Sequence, residues 1–289
     1  MTPKVILSLF DFSGEWTAPF ADAGHEVITI DVKHDATVHD VRKLSVEYFI
    51  EELGIEWVDA IIAAPPCTDF TNSGARHWKA KDADGRTEVS VELVRQVLRS
   101  VEFWKPDFWV LENPVGRLPK LVPELGLEKP LIFDPCDFAG NLDAELTPAE
   151  LELLADMTTW HAAGREFTAE EVTLVKRSNR YTKRTCLWGN FNRDLLAGSK
   201  ASRTAIRVCD QGSWLQKLGG AGARTKEARS ETPRGFAKAF FEAHDWSKGL
   251  VKEWNDECGD AEVRELPAST PVELGMLPYT RTIMDADAA

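Results

Sequence analysis

The stretch that most constrains this chain is Asp59-Ala-Ile-Ile-Ala-Ala-Pro-Pro-Cys67-Thr-Asp-Phe-Thr-Asn-Ser-Gly74. Its apolar run, Ala60 to Ala64, has the length and composition of a buried strand. Pro65 and Pro66 donate no ladder hydrogen bonds, so the chain must leave the sheet there. Cys67 then falls just past the carboxyl end of a strand, where open α/β sheets place their ligands. Two readings stand. A free cysteine is commonly a buried structural thiol, and a cysteine at a sheet's ligand edge can be a nucleophile. Its partners elsewhere in the chain have to decide.

At 289 residues the chain can form one large α/β domain with a small appendage. The cysteines (Cys67, Cys136, Cys186, Cys209, Cys258) are odd in number, scattered and without a CxxC pair. That pattern predicts neither a disulfide framework nor a metal site, and it fits a reducing compartment. No apolar run approaches the ~20 residues that span a bilayer, and the start of the chain reads as a strand rather than a signal peptide. The expectation is a soluble, cytoplasmic protein with no membrane partner. A net charge of −13 taken whole argues against a polyanionic partner. The charge is segregated, however. Lys176 to Lys238 carries 15 Lys/Arg against 4 acids, net +11, whereas 141–172 is net −7 and 248–289 net −5. A basic block between two acidic ones reads as a local phosphate-binding surface or as a solvated basic face.

Val5 to Phe10 is a near-continuous apolar run, the mark of a parallel strand. After it come Asp11-Phe-Ser-Gly14-Glu-Trp16 and a helical stretch, Thr17 to Ala23. Strand, tight Gly turn and helix form the geometry in which backbone approaches a nucleotide-like ligand. His25 to Asp31 predicts a second strand ending in an acid, at the place where ribose hydroxyls are held; a turn-ending Asp is the plainer reading. His39-Asp40-Val41 opens a third short unit, and Ser45 to Leu53 is an amphipathic helix leading into the Cys67 strand. Thr68 to Gly85 is polar, a candidate lid. Val89 to Trp104 has helical spacing, and Phe108-Trp-Val-Leu-Glu112-Asn113-Pro114 is another strand with an acid at its end. Strands alternating with helices predict a Rossmann-like, doubly wound, mostly parallel sheet with its site along the carboxyl ends.

The expected organisation is a catalytic region 1–190 containing an acidic helical insertion at about 141–175, whose two helices open on capping boxes at Thr147–Glu150 and Thr168–Glu171. A short basic recognition region, 191–228, follows; its stretch from Gly198 is Gly, Ser, Lys and Arg-rich with few apolar anchors. A closing motif and helix, 229–246, then return to the catalytic region with Thr232 as N-cap, and an acidic tail occupies 247–289.

In this order the motifs resemble the DNA cytosine-C5 methyltransferases, especially compact phage and prophage forms. Phe12-Ser13-Gly14 looks like the family's Phe-x-Gly turn, and Pro66-Cys67-Thr68-Asp-Phe70-Thr71-Asn-Ser-Gly74 resembles its Pro-Cys loop. Glu112-Asn113-Pro114 is similar to its Glu-Asn-Val, Lys183-Arg184-Thr-Cys-Leu-Trp-Gly189 to its arginine-bearing strand, and Ser230-Glu-Thr232-Pro233 to its closing turn. Trp16 stands where the family has a second turn glycine, Thr68 where it has Gln, and Pro114 where it has Val. Only about forty residues separate Gly189 from Arg229, where the family keeps a target-recognition domain.

The resemblance implies S-adenosyl-L-methionine as donor, S-adenosyl-L-homocysteine as product, no metal, and double-stranded DNA as partner of a monomer or homodimer in a bacterial or phage-infected cytoplasm. It implies Cys67, Glu112 and Arg184 as catalytic. Phe12, Ser13, Gly14, Trp16, Asp31, Val32, Asp40, Val41, Pro65, Ser230 and Thr232 would hold the cofactor. Pro66, Thr68, Phe70, Thr71, Gly74, Asn113, Arg180 and Lys183 would meet the base or its strand, with Trp214 as the aromatic expected to touch a base. Cys67, its pKa lowered by nearby cations and dipoles, would add to C6 of a flipped-out cytosine; Glu112 would meet N3 and the exocyclic amine; Arg184, with Lys183 or Arg180, would hold O2 or a phosphate. Asn113 reads more as a brace than a reactant. An enzyme of this fold acting on RNA, one using a modified donor admitted by Arg229, a nucleic-acid-binding relative without catalysis, and an unrelated Rossmann-like enzyme with a structural Cys67 are the rival readings.

Overall fold

The computed structural model describes residues 2–34, 48, 51, 54–125, 129–210, 212–217 and 228–251. Asp40, Val41, the helix expected over 45–53 and nearly all of the acidic tail lie outside the described residues.

The strands are β1 (Val5–Leu9), β2 (Glu26–Ile30), β3 (Ala60–Ala63), β4 (Phe108–Pro114), β5 (Leu131–Phe133) and β6 (Thr185–Trp188). They form one sheet in the order β2-β1-β3-β4-β6-β5. The first four run parallel, and β6 enters antiparallel between β4 and β5. The helices are α1 (Ala18–Asp22), α2 (Trp78–Ala83), α3 (Arg86–Trp104), α4 (Leu118–Leu121), α5 (Pro148–Trp160), α6 (Ala169–Arg177), α7 (Arg193–Gly198), α8 (Trp214–Lys217) and α9 (Arg234–Ala243).

Alternation along the strands sends side chains to two buried layers. Leu7, Leu9, Ile61, Ala63 and Leu111 pack with Val91, Val94 and Val97 of α3. Ile6, Ala60, Ile62, Phe108, Val110 and Leu187 pack on the other face with Phe20 of α1 and with Phe236 and Phe240 of α9. Helices on both faces of a mostly parallel sheet make this an α/β fold and explain why β1, β3 and β4 are apolar on both sides. α3 stops at Lys105, whose φ of 45° breaks the helix just before Pro106. α9 is capped by Pro233 without a side-chain bond, one residue later than the Thr232 cap that the sequence predicts.

A third layer lies beside the sheet. The two capping boxes form as expected: Thr147 and Thr168 accept from the backbone N–H of Glu150 and Glu171 at the starts of α5 and α6. Leu154, Met157, Leu174, Val175 and Tyr181 bury there together with Ile206, Val208, Trp214 and Leu215. The described part of the segment after Gly198, expected to have few apolar anchors, is therefore packed. These four residues tie it down, and so do backbone bonds from Arg203 N to Cys136 O and from Ile206 N to Arg180 O. Among the described residues no helix is long and apolar enough to cross a membrane.

Candidate active site

The turn after β1 is built by Asp11. Its buried carboxylate accepts from Ser8 Oγ (3.1 Å), Ser13 Oγ (3.2 Å), Gly14 N (2.9 Å) and Thr17 Oγ1 (3.4 Å). Burial still pushes its pKa up, and these four donors pull it back. Gly14 sits at φ 67°, with nothing within 4 Å of where a Cβ would stand, so its need is conformational. Sequence reasoning passed over Asp11 itself, although an Asp three residues before a Gly is a turn-former's signature.

Two large apolar side chains stay exposed at the carboxyl ends of β1 and β2: Phe12 at 39 % and Val32 at 48 %. Phe12 is edge-on to His34 and has the Lys33 ammonium 4.7 Å from its ring centre. Asp31 spends Oδ1 on the backbone N–H of Lys33 (2.8 Å). Trp16 points elsewhere: it is 1 % exposed and packs on Phe236 and Phe240. Ser230 is exposed beyond the start of α9, and Arg229 donates to the Leu215 carbonyl at 3.1 Å.

Past β3 the Cys67 loop is clamped at several points. Asn113 Nδ2 donates to the carbonyl of buried Pro65 (2.9 Å), so Asn113 acts as a brace. Phe70 N and Thr71 N both bond Cys67 O at 3.0 Å. Phe70 is fully buried; it anchors the loop and does not reach toward a substrate. Thr71 bridges to Gly116, where a Cβ would lie 2.0 Å from Phe70 O, so only glycine permits this approach. Pro66 and Thr68 are exposed, Gly74 is half-buried, and the Thr68 carbonyl accepts from Lys81 Nζ at 2.7 Å. The lid expected over 68–85 is instead a 3-10 helix, Asn72–His77, followed by α2. Pairs Lys81–Asp69 (2.7 Å) and Arg117–Asp82 (2.7 Å) pin it, and Arg117 lies over the Trp78 ring.

Glu112 faces Leu187 across the β4–β6 ladder, and Pro114 faces Thr185. Directly opposed residues share a face, so Glu112, Thr185 and Lys183 stand on the α9 side. Arg184, one residue on, stands on the other and is exposed. The register thus separates the two cations that the sequence leaves together. Lys183 is the charge that opposes burial at Glu112 and at Cys67, while Arg184 acts on Asp134 and Cys186. Arg180 is not at the site: it is buried and paired with Asp143 at 3.4 Å. Trp214 is not on the surface: at 4 % exposure it meets Tyr181 edge-on inside the third layer.

Burial raises the Glu112 carboxyl above the usual carboxylate range against the pull of Lys183 and a hydrogen bond with Thr185. Its Oε1 is shielded from solvent and has no hydrogen-bond partner. Burial first, and Glu112 second, raise the Cys67 thiol, with Lys183 opposing them. The expectation of a depressed Cys67 pKa is therefore reversed in the ligand-free site, because little cationic field reaches a desolvated sulfur next to a carboxyl. Trp16, Glu112, Lys183, Thr185 and Thr232 line a cavity of about 10 Å³.

Residues 27–120 match the C-5 cytosine-specific DNA methylase family. That stretch, about a third of the chain, is similar to the C5 cytosine DNA methyltransferases. It contains Asp31, Cys67, Glu112 and Asn113; the β1 turn, β6 and α9 lie outside it. The chain is similar to the type II methyltransferase M.NgoPII of Neisseria gonorrhoeae, 31 % identical over 130 residues, which is 40 % of this chain and 35 % of that protein. It is similar to the type II methyltransferase M.DdeI of Desulfomicrobium norvegicum, 39 % identical over 67 residues, 23 % of this chain and 14 % of that protein. The matches thus span well under half the length of either relative. Among solved structures, a candidate DNA modification methyltransferase encoded within an E. coli prophage aligns at TM-score 0.41 and 13 % identity, over 76 % of this chain and 56 % of that one.

The described cations of the basic block are largely spoken for. Lys176 pairs with Glu231, Arg177 with Glu150, Arg180 and Arg203 with Asp143, Lys200 with Asp137, and Arg234 and Lys238 with Glu145. Among the described residues, most cations of the basic block therefore face acids of the protein itself rather than forming an open phosphate-binding face. Among the described residues no cluster of His, Cys, Asp and Glu could hold a metal ion.

Proposed function

We propose that the chain is a DNA (cytosine-5-)-methyltransferase that transfers a methyl group from S-adenosyl-L-methionine to C5 of a flipped-out cytosine through a Cys67–C6 adduct. One observation carries this reading beyond the family match: Glu112 presents a shielded, unpartnered Oε1 on a carboxyl whose pKa burial raises, in the same electrostatic neighbourhood as Cys67 and Lys183. A carboxyl kept protonated there can donate to N3 of cytosine, and its acceptor oxygen can take the exocyclic amine.

The chain's residues divide the work. Glu112 orients the base and supplies the proton that neutralises N3 as charge develops. While that carboxyl carries a proton, its repulsion of a Cys67 thiolate is gone and Lys183 has only burial and the weaker field of Asp69 against it, so base binding and thiol ionisation are coupled. The thiolate adds to C6, which gives C5 the electron density to attack; loss of the C5 proton afterwards breaks the C6–S bond and restores Cys67. Pro65, Pro66 and the Gly116 contact hold the sulfur at the sheet edge.

The turn fits a nucleoside-bearing donor: exposed Phe12 and Val32 offer apolar walls for a purine, Asp31 offers a carboxylate oxygen to ribose hydroxyls, and Gly14 lets backbone approach. Ser13 lies in the same turn, its hydroxyl held by Asp11. Bound there, S-adenosyl-L-methionine would supply the electrophilic methyl. Duplex DNA as substrate requires flipping, because C6 is inaccessible within a stacked pair. The cations beside the Cys67 edge, exposed Arg76, Lys79, Lys120 and Arg184, suit its backbone better than the paired block does.

Nucleoside mass spectrometry of plasmid DNA incubated with the protein and donor tests the reading. A 5-methyl-2′-deoxycytidine peak is expected from the unmodified protein and not from Cys67→Ala. No new nucleoside from DNA, together with no donor binding by calorimetry, would sink it.

A further inference from the structure

Four successive carbonyls of the turn at Cys67 accept from protein donors. Cys67 O takes Phe70 N and Thr71 N, Thr68 O takes Lys81 Nζ at 2.7 Å, Asp69 O takes Arg117 Nε at 3.0 Å, and Phe70 O takes Arg117 N at 2.9 Å. A surface turn can leave such groups to water. Here two neighbouring carbonyls are held by cationic side chains, in bonds about twice as strong as neutral ones. Both cationic side chains are only 10 % exposed. Desolvating them is costly, and an ion pair kept for stability alone is often matched by apolar groups of the same volume. Arg117 reaches furthest. Its guanidinium also grips both carboxylate oxygens of Asp82 in α2, at 2.7 and 2.8 Å, and Thr87 Oγ1 in α3 at 2.9 Å. Its own backbone lies in the loop after β4, five residues beyond Glu112.

We propose that Arg117 is a positioning residue for Cys67: its guanidinium fixes the turn 67–70 against the strand that carries Glu112 before any substrate arrives. The inference deepens the proposed reaction and rests on it for its catalytic meaning, but the tie itself is a property of the ligand-free protein. Each bond restrains a different motion. Nε on Asp69 O holds the turn down, the two-oxygen grip on Asp82 keeps the guanidinium plane from rotating away, and Thr87 anchors it to α3, whose Val91, Val94 and Val97 sit in the core. Lys81 repeats the arrangement one carbonyl earlier, pairing with Asp69 Oδ1 at 2.7 Å while Ser90 Oγ donates to Asp69 Oδ2 at 2.5 Å. Cys67 and Glu112 come from different strands, and one pyrimidine ring has to meet both. Their separation is therefore a requirement of the reaction, and a misplacement of about 1 Å at such a site can cost about 100-fold in rate. Lysine at position 117 would keep the charge, but an ammonium is a point donor and cannot reproduce a planar fork that spans three elements.

The test reads the turn directly. Amide hydrogen exchange is followed by NMR without DNA or donor at Phe70 and Thr71, the two N–H groups that close the turn on Cys67 O. Arg117→Lys is expected to speed exchange at both by about tenfold, the worth of one charge-assisted bond. Single-turnover methylation at saturating DNA and donor is expected to slow by a similar factor, with the affinity for each left in place. Leu154→Val, which loosens the third layer, is expected to lower the melting temperature and leave both amides and the single-turnover rate unmoved. Asp82→Asn weakens the grip on the guanidinium at an exposed position, and it carries the test if Arg117→Lys does not fold; the same two amides are expected to exchange faster. Unchanged exchange in the folded variants overturns the proposal. So does equal acceleration in Leu154→Val, which would make the protection a matter of global stability, and so does a single-turnover rate that stays level while exchange rises. The exchange readout uses no methyl transfer, so faster exchange in Arg117→Lys beside a failed nucleoside assay of the unmodified protein would refute the proposed reaction and leave the tie standing.

Discussion

Lys183 and Arg184 are neighbours in the chain and stand on opposite faces of the sheet, so their substitutions separate two roles. Lys183→Ala removes the charge that faces Glu112 and Cys67; single-turnover methylation is expected to slow by about 100-fold, the usual cost of one preorganised donor. Arg184→Ala is expected to weaken DNA binding with a far smaller effect on the single-turnover rate. Equal rate losses would contradict the register that places only Lys183 beside the carboxyl. His244 makes a prediction of another kind. Its Nε2 accepts from Asn192 N (2.9 Å), its Nδ1 bonds Phe240 O (2.7 Å), and burial pushes its pKa down to about 4. The native state resists protonation there while the unfolded chain accepts a proton from its ordinary pKa of 6.5 downward. The stabilising contribution is thus complete above pH 6.5 and is lost progressively toward pH 4, by roughly 3 kcal/mol. Urea unfolding across that window should show the loss in the unmodified protein, with a flatter profile in His244→Gln.

At the scale of elements, the glycine that admits the Cys67 loop is the most exposed to test. Gly116→Ala would drive a Cβ into Phe70 O, so a loss of about 2 kcal/mol is expected from overpacking, with methylation falling further than stability because Cys67 shifts. A variant that keeps full activity would show that the clamp is dispensable. What was legible in the sequence follows the range of the forces involved. Strands β1 to β4 were readable from apolar runs cut by Gly, Pro or acid, and the capping boxes from contacts three residues apart. Cys67 and Glu112 stood out because each hangs at such a cut. Lys183 and Arg184 could not be told apart, since a one-residue choice of register between β4 and β6 decides which one faces Glu112. Trp214 and Phe70 were misplaced for a related reason: an aromatic in a polar stretch looks like a contact surface until the layer that covers it is known.

At the scale of the molecule, much of the charge segregation of the sequence becomes internal pairing among the described residues. Asp143 holds both Arg180 and Arg203, and Glu145 holds both Arg234 and Lys238. Arg203→Glu is therefore expected to cost stability and leave DNA affinity nearly unchanged, whereas Arg76→Glu with Lys79→Glu should reduce affinity and flatten its salt dependence by about one unit of slope per lost phosphate contact. Fluorescence anisotropy on a duplex across a salt series separates the two; the reverse ranking would return the basic block to the DNA face.

The aromatic layer under α9 also sets an order of events. Phe20 and Phe108 come from early in the chain, and the rings that cover them, Phe240, Phe241 and Trp246, come from late in it. During synthesis the parallel strands emerge first, with Cys67 already at their edge, while their aromatic face waits for some 120 residues more. A nascent chain therefore carries its thiol and its glutamate well before the lysine and the covering helix arrive. Over that interval the uncovered rings of Phe20 and Phe108 are open to self-association.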